Sequence, residues 1–137
     1  MKYWLIKSEP NTWSWNDHVK KGTEHWDGVR NHQAKQNLMA MKTGDKSFFY
    51  HSVKEKTILG IVMVTKEYYP DPTDKTGTFG MVDFKVVEPL ETPVTLAQIK
   101  TDNRLQGMTL VNNSRLSVQP VTTAAWKIIC KTGGVKP

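Results

Sequence analysis

The stretch KSFFYHS, residues 46–52, and the stretch ILGIVMVTKEYY, residues 58–69, decide the fold of this chain. Both are rich in aromatic and β-branched residues, which suit a pleated and half-buried surface, and a short charged loop separates them. This pattern predicts two paired strands. Residues 70–78, which follow, are dominated by Pro, Asp and Gly and predict a loop.

Three further runs have the composition of strands, namely residues 3–7, 80–90 and 115–121. Pro120 places the end of the last run at a sheet edge, because proline has no N–H to donate to a neighbouring strand. The strands mix with short helices but form no regular β–α–β repeat, which favours an α+β fold. We expect a single domain over residues 1–137, built on a small curled or closed sheet with helices at its rim.

Capping signals predict the helices. Ser14 and Asp17, in SWND, fit a capping box that starts a helix ending before Gly22. Asn31 is a suitable N-cap for a second helix, since its side chain can accept a free backbone N–H. The predicted helices span residues 14–20, 31–41, 95–100 and 122–133.

The composition is that of a globular protein, with 38% hydrophobic and 23% charged residues. No apolar run has the length that a membrane span needs, and the N-terminus lacks the pattern of a signal peptide. The net charge of +6 suggests a polyanionic partner, although the basic residues are dispersed enough to form an ordinary solvated surface. The single Cys130 excludes an internal disulfide and indicates a reducing cytoplasm.

The sequence contains none of the common motifs of phosphate loops, dinucleotide-binding folds, zinc proteases or serine hydrolases. The four histidines are scattered, and a turn separates His25 from His32, so we expect neither a metal site nor a cofactor. Cys130 follows an apolar run in the last predicted helix, where a buried, unreactive thiol is a better interpretation than a Cys–His dyad. These observations favour a binding protein over an enzyme.

Polar and aromatic residues stand where several predicted strands end. KSEP (residues 7–10), FYHS (residues 49–52) and EYYPDPT (residues 67–73) each end one strand. Strand ends at one rim of a small sheet can form a pocket, and aromatic faces edged by short polar groups suit a nucleobase. For each segment taken alone, strand-end packing and turn capping are the favoured explanation, since most buried aromatic residues belong to a core. Trp26, in WDGVRN, is then either a core residue or the stacking face of the pocket.

Several segments together resemble the EVE domain family over roughly residues 2–126. In chain order they are YWLIKSEP, WDGVRNHQAKQNLMAMKTGD, FFYHS, GIVMVTKEYYPDPT, PVTLAQIK and RLSVQPVT. The resemblance implies a PUA-like fold, which is a curled or closed mixed β-barrel with short surrounding helices, and kinship with YTH domains. It also implies a free-standing bacterial-type module without enzymatic activity. Such a module would recognise a modified base in DNA, such as 5-methylcytosine or an oxidised derivative.

The resemblance implies that Trp26 is the stacking face of the pocket. The other residues implied to bind the ligand are Lys7, Ser8, Glu9, Asn31, Tyr50, His51, Ser52, Tyr69, Pro70 and Asp71. The first four would meet the base edge, the next three would form the opposite wall, and the last three would close the mouth. The residues that would contact the nucleic-acid backbone, or buttress loops instead, are Arg30, Lys35 and Arg115.

His32 and Lys35 depart from the family pattern, which usually has an aromatic residue and an arginine at these positions. A histidine near the site would make binding depend on pH near about 6 to 7, whereas one that faces solvent would change nothing. Lysine keeps the charge of arginine but loses its bidentate geometry. The alternative functions are an RNA-binding module for modified bases, a small-nucleotide or metabolite-binding protein, and an enzyme with Glu9 or His51 as the acid–base group.

Overall fold

The chain mixes six strands with short helices, and the computed structural model describes all 137 residues. The strands are β1 (Tyr3–Ser8), β2 (Thr23–His25), β3 (Lys46–His51), β4 (Thr57–Pro70), β5 (Gly80–Thr95) and β6 (Val118–Val121). The helices are α1 (Trp15–Lys21), α2 (His32–Ala40), α3 (Leu96–Thr101), α4 (Thr109–Asn112) and α5 (Thr123–Thr132), with a 3₁₀ turn at Asn103–Leu105.

All six strands belong to one mixed sheet, in the order β2-β5-β4-β3-β1-β6. β1 and β3 are parallel, with Ser8 opposite His51, and the other pairs are antiparallel. The predicted pairing of the two strongest runs is therefore confirmed as β3 and β4, and Pro120 lies on the edge strand β6 as predicted. Register shifts between β3 and β4 and along β4 and β5 bend the sheet.

The sheet does not close into the barrel that the resemblance implies. β2 and β6 are its two edges, and no backbone ladder joins them. β2 has 3 residues and β6 has 4, and Pro120 removes one donor from β6. Neither edge therefore offers a ladder long enough to complete a barrel. The α+β class and the mixed sheet are confirmed.

Hydrophobic cores lie on both faces of the sheet, because side chains alternate along each strand. Leu5 and Phe48 belong to a first core, which α3, α4 and α5 cover. Ile6 and Phe49 belong to a second core, which α1 and α2 cover. The second core also contains Trp26 and lies beneath the site described below.

The predicted caps start the helices. The Ser14 hydroxyl accepts the Asp17 N–H at 3.0 Å, and the Asp17 carboxylate accepts the Ser14 N–H at 2.9 Å. The Asn31 side chain accepts the Ala34 N–H at 2.9 Å. α5, the longest helix, has 10 residues, and no helix of the chain has the length and apolar character needed to cross a membrane.

Several parts of the chain differ from the sequence predictions. β2 was not predicted as a strand, and β6 covers only Val118–Val121 of the predicted residues 115–121. β5 extends beyond residue 90 to Thr95, because Val94 and Thr95 pair with the start of β4 after a register shift. The turn at Asn103–Leu105 and α4 were not predicted, since elements of 3 and 4 residues are too short to show a periodic pattern.

Candidate functional site

A cavity of about 370 Å³ opens where the end of β1, the turn after it, β2 and the segment after β2 meet. It is lined by Lys7, Ser8, Glu9, Thr12, Trp13, Glu24, His25, Trp26 and Asp27. The structure thus brings the predicted residues of the KSEP turn together with Trp26. The volume lies within the range of small-ligand sites, which is roughly 300–1,000 Å³.

The KSEP turn fixes the main chain of Trp13. The Glu9 carbonyl accepts the Thr12 N–H at 3.0 Å and the Trp13 N–H at 2.9 Å. The Ser8 hydroxyl donates to the Trp13 carbonyl, and this hydrogen bond is partly buried. The turn therefore places the half-buried Trp13 side chain at the cavity as well as its own polar groups.

Trp26 is both a core residue and part of the cavity lining. It is 9% exposed, and its ring packs edge-to-face on Phe49 and Phe84 at centroid distances of 5.6 and 5.9 Å. Its backbone N–H donates to the Val82 carbonyl at 2.8 Å, which ties the segment to β5. The two roles that the sequence posed as alternatives are therefore compatible.

His18, on α1, lies fully buried behind the two tryptophans. Its Nδ1 accepts the indole N–H of Trp13 at 3.1 Å, and its Nε2 lies 2.8 Å from the Phe84 carbonyl. Its ring centroid lies 5.9 Å from that of Trp13 and 6.1 Å from that of Trp26. Burial lowers the pKa of His18, against the smaller opposing effects of the Phe84 carbonyl and Glu24.

Carboxylates dominate the polar part of the cavity. Glu24 accepts a hydrogen bond from Lys21 Nζ at 2.9 Å and one from the His25 N–H at 3.0 Å. Burial alone would raise the pKa of Glu24, but these hydrogen bonds hold it below its usual value. Glu9 and Asp27 are exposed, and Asp27 lies 3.7 Å from His25 Nε2. These carboxylates can accept hydrogen bonds from a ligand.

Lys7 is the only lysine or arginine in the cavity lining, and it is directed partly away from the cavity. Its Nζ donates to the Ser114 carbonyl at 2.6 Å and lies 5.8 Å from the ring centroid of Tyr50. Burial lowers the pKa of Lys7. Tyr50 itself is buried in the first core, on the other side of the sheet from Trp26. Arg115 follows Ser114 and is exposed.

Asp71 joins the segment after Trp26 to the loop after β4. One carboxylate oxygen accepts the Gly28 N–H at 2.9 Å and Arg30 Nη1 at 3.1 Å, and the other accepts the Thr73 N–H at 2.7 Å and hydroxyl at 2.6 Å. Gly28 has a φ of 77°, which other residues adopt only with strain. Burial would raise the pKa of Asp71, but the Thr73, Gly28 and Arg30 hydrogen bonds lower it to about 2. Asp71 thus supports the cavity without lining it.

Two cationic side chains and one histidine lie near the Phe79 ring, outside the cavity. Arg30 Cζ lies 5.7 Å and Lys35 Nζ 5.9 Å from the ring centroid, and the His32 ring lies 5.1 Å away. We call this set the Phe79 patch. Arg30 is also bound to Asp71, so it buttresses the loop. His32 and Lys35, the two expected departures from the family pattern, lie together on this patch.

His51 and Asn31 support backbone groups and do not line the cavity. His51 Nε2 accepts the Trp15 N–H at 2.9 Å, and its Nδ1 lies 2.9 Å from the Glu55 carboxylate. The Trp15 N–H belongs to the first turn of α1, where it has no partner within the helix, so His51 fixes the start of α1. Asn31 is occupied as the N-cap of α2.

Ser52, Tyr69 and Pro70 also lie outside the cavity lining. The Ser52 N–H donates to the Ser8 carbonyl at 2.9 Å, which joins the end of β3 to the cavity wall. The Tyr69 hydroxyl bonds to the Asp83 carboxylate, and burial together with Asp83 raises the pKa of Tyr69. Pro70 is the exposed last residue of β4.

The sequence did not predict the remaining lining residues, which are Thr12, Trp13, Glu24, His25 and Asp27. A signal for Trp13 was present, because three of the five tryptophans fall within the first fifteen residues. For Asp27 the signal was its position beside Trp26 in the same turn. Glu24 and His25 carried no signal, because only the pairing of β2 with β5 places them at the cavity.

The chain contains no group of three or more His, Cys, Asp or Glu side chains that could hold a metal ion. Cys130 is fully buried in the first core, and burial raises the pKa of its thiol to about 11. The predicted burial of the thiol is confirmed.

The EVE domain family model matches residues 2–132. The chain belongs to the EVE domain family. Thymocyte nuclear protein 1 of Mus musculus is 34% identical to this EVE domain over 169 residues, covering 98% of this chain and 75% of the mouse protein. The NMR structure of a Rhodopseudomonas palustris protein is 54% identical, with a TM-score of 0.93 over 98% of this chain and 94% of that one.

A crystal structure of the human THYN1 protein in complex with DNA containing 5-methylcytosine is similar to this EVE domain over the whole of both chains. The two chains are 32% identical, with a TM-score of 0.91 over 100% of each. The Mmi1 YTH domain is 14% identical, with a TM-score of 0.61 over 96% of this chain and 86% of that one. That likeness shows a shared fold, as the resemblance implied.

Proposed function

We propose that this EVE protein is a non-enzymatic module, acting as one domain over residues 1–137, that recognises a modified base in DNA. The base would be 5-methylcytosine or an oxidised derivative, bound in the cavity beside Trp13 and Trp26. The observation that carries this proposal is the human THYN1 protein in complex with 5-methylcytosine-containing DNA, since its likeness to this chain extends over 100% of both chains.

The cavity suits a base that has left the double helix. Extruding a base costs a few kcal/mol, which the cavity must offset. Stacking on an aromatic side chain contributes about 1–3 kcal/mol per base. Trp13 is half-buried and offers more of its ring than Trp26, which is 9% exposed, so we assign the main stacking contact to Trp13 and the cavity floor to Trp26.

The polar lining suits a base edge that donates hydrogen bonds. Cytosine presents an amino group, and the carboxylates of Glu9, Glu24 and Asp27 are acceptors. A methyl or hydroxymethyl group would add only modest discrimination, about 1–3 kcal/mol, as a single small substituent does in other sites. We therefore expect a preference of tens of fold for the modified base over plain cytosine.

Cations outside the cavity would hold the phosphates, the half-buried Lys35 and the exposed Arg115. Lys35 lies on the Phe79 patch, and Arg115 follows Ser114, the residue that binds Lys7. Each phosphate contact that is lost should reduce the slope of log affinity against log salt by about 1. We expect Lys35→Ala and Arg115→Ala to do this while leaving the preference for the modified base unchanged.

The remaining predicted ligand residues act, in this proposal, as supports of the cavity walls. They are Asn31, Tyr50, His51, Ser52, Tyr69, Pro70 and Asp71. We also propose the cytoplasm as the compartment, because the single cysteine suits a reducing environment.

The test is a binding screen over duplexes that differ at one central base: cytosine, 5-methylcytosine, 5-hydroxymethylcytosine or N6-methyladenine. Matched single-stranded RNAs form a second arm. We expect the wild type to prefer one modified cytosine in DNA, and Trp13→Ala to lose that preference while keeping salt-dependent binding. Tyr3→Ala is the control, because Tyr3 is a half-buried aromatic residue packed on the first core.

Three outcomes would overturn the proposal. Equal affinity of the wild type for all duplexes would remove the modified base as the ligand. A preference found only in the RNA arm would replace DNA by RNA. An unchanged preference in Trp13→Ala, with the protein folded, would move the site elsewhere. Trp26→Ala is a poorer test, since removing a buried tryptophan costs about 3–5 kcal/mol of stability by itself.

A further inference from the structure

We propose that His18 is a positioning residue of the cavity, which holds the Trp13 ring in its stacking position through one specific imidazole tautomer. The inference rests on the proposed function, because it assigns a role to a residue that a bound base would not touch. His18 is fully buried and is not part of the cavity lining. It acts through Trp13.

The hydrogen bonds of His18 fix its tautomer. An indole N–H can only donate, so His18 Nδ1, 3.1 Å from Trp13 Nε1, carries no proton and accepts. A backbone carbonyl can only accept, so His18 Nε2, 2.8 Å from the Phe84 carbonyl, carries the proton and donates. Both ring nitrogens are therefore satisfied in a neutral imidazole. The reversed tautomer would set donor against donor at Trp13.

This arrangement does more than fill space in the second core. The imidazole is surrounded by aromatic rings, those of Trp13, Trp26 and Phe49, and an apolar side chain of similar size could pack there. Only an acceptor at the Nδ1 position, however, can hold the half-buried Trp13 indole in one orientation. Burying a polar group costs free energy unless all its hydrogen bonds are made. A histidine rather than an apolar residue at position 18 is therefore consistent with a need to orient the Trp13 ring.

The two charged groups that face His18 act on its pKa in opposite directions. Glu24, on β2, favours the protonated ring, and Lys21, on α1, disfavours it. Burial acts in the same direction as Lys21, outweighs Glu24 and the Phe84 carbonyl, and so lowers the pKa of His18. With the Trp13 main chain fixed by Ser8 and Glu9, the bond to His18 is the contact that determines the angle of the ring at the cavity.

Two substitutions separate the two hydrogen bonds. The amide oxygen of His18→Asn can occupy the position of Nδ1 and accept from Trp13, but the side chain is too short to reach the Phe84 carbonyl. The amide nitrogen of His18→Gln can occupy the position of Nε2 and donate to Phe84, but leaves Trp13 without its acceptor. Both variants lose the aromatic packing, so thermal unfolding should show a similar loss of stability in each.

The experiment measures, on the full chain, the preference for the duplex with the best modified base over its plain counterpart. We expect His18→Asn to keep a preference near that of the wild type and His18→Gln to lose about tenfold, because an unfixed indole stacks poorly. Trp13→Phe removes the donor and keeps an aromatic ring, so it should match His18→Gln. Combining Trp13→Phe with His18→Gln should cost no further preference.

Nuclear magnetic resonance tests the His18 tautomer and its hydrogen bond to Trp13 without a ligand. In the wild type, the Trp13 indole N–H should exchange slowly with water and the His18 ring should show a proton on Nε2 alone. Exchange should stay slow in His18→Asn and become fast in His18→Gln. An Nδ1 proton in the wild type, or equal loss of preference in both variants with exchange as expected, would overturn the inference. If the wild type binds all duplexes equally, the proposed function fails, and the exchange data still show whether His18 holds Trp13.

Discussion

Replacing Asp71 by asparagine should weaken both the fold and the preference for the modified base. Each carboxylate oxygen accepts two hydrogen bonds, one oxygen from Gly28 and Arg30 and the other from Thr73. In Asp71→Asn the amide nitrogen must replace one oxygen. Turned toward Gly28 and Arg30 it faces two donors, and turned toward Thr73 it faces the Thr73 N–H while the Thr73 hydroxyl can rotate to accept from it. The variant therefore loses one or two hydrogen bonds, and those that remain lose the charge of the acceptor.

The size of the loss follows from burial and charge. A hydrogen bond to a charged acceptor contributes roughly 1.5–3 kcal/mol. The Asp71 side chain is 0% exposed, so water cannot replace a hydrogen bond that it loses. The Arg30 side chain is 41% exposed and can form hydrogen bonds with water instead. We expect the free energy of unfolding to fall by about 3 kcal/mol. Re-ordering a residue released at Gly28 costs about 1–2 kcal/mol, so the preference for the modified base should fall about tenfold.

Asp74→Asn is the matched control. Asp74 repeats the same Asp-x-Thr turn, accepting the Thr76 N–H at 3.0 Å and hydroxyl at 2.6 Å and the Phe79 N–H at 2.7 Å. It makes no hydrogen bond to Gly28. We expect Asp74→Asn to lose some stability and to keep the wild-type preference.

Urea denaturation measures stability, and titration of fluorescent duplexes measures the preference. A folded Asp71→Asn protein with the wild-type preference would refute the reasoning, because the segment after Trp26 would then not need to be fixed for binding. Equal loss of preference in both aspartate variants would refute it too, since the effect would then come from the loop in general.

Three further predictions concern stability. Gly60→Ala should destabilise the protein by about 1–3 kcal/mol in denaturant titrations, because the added Cβ would lie 2.4 Å from the Trp15 ring. Val53→Gly should raise stability by about 1 kcal/mol, because Val53 is exposed and holds a φ of 70°, and an unchanged melting temperature would show that its backbone carries no strain. The contribution of neutral His18 should be complete above its unfolded pKa of about 6.5 and be lost as pH falls below it, because the folded pKa is lowered. Denaturation at a series of pH values should show this loss in the wild type and not in His18→Asn.

The sequence predicts local structure well where the cause is local. The capping box of Ser14 and Asp17 and the N-cap of Asn31 involve residues three apart, so the pattern alone contains both partners. The hairpin of β3 and β4 is predictable for the same reason. Closure of the sheet depends on β2 and β6, which are far apart in sequence, and no local pattern indicates that both stop after a few residues.

The candidate site was also predictable only in part from the sequence. The parallel pairing of β1 with β3 brings Ser8 beside His51, so the expectation that these strand ends meet is reasonable from sequence. Which side chains then point into the cavity depends on strand alternation and on distant partners. Tyr50 falls on the first core, and His51 bonds to Trp15. Trp13 precedes the capping box of Ser14, and it was missed because the contact that places its ring is with a buried histidine.

The distribution of charge in this fold bears on which part of a nucleic acid the cavity admits. The chain carries a net charge of +6, yet the cavity lining holds Glu9, Glu24 and Asp27 against one lysine whose ammonium is bound to a carbonyl. Carboxylates repel phosphate and accept from amino groups, so they favour an orientation in which the base enters and the backbone stays outside. Lys35 and His32, on the Phe79 patch, do not line the cavity. In the proposed function, His32 and Lys35 would therefore affect the contact with the nucleic-acid backbone. The choice of base would depend on the carboxylates of the cavity and on the Trp13 ring that His18 is proposed to hold.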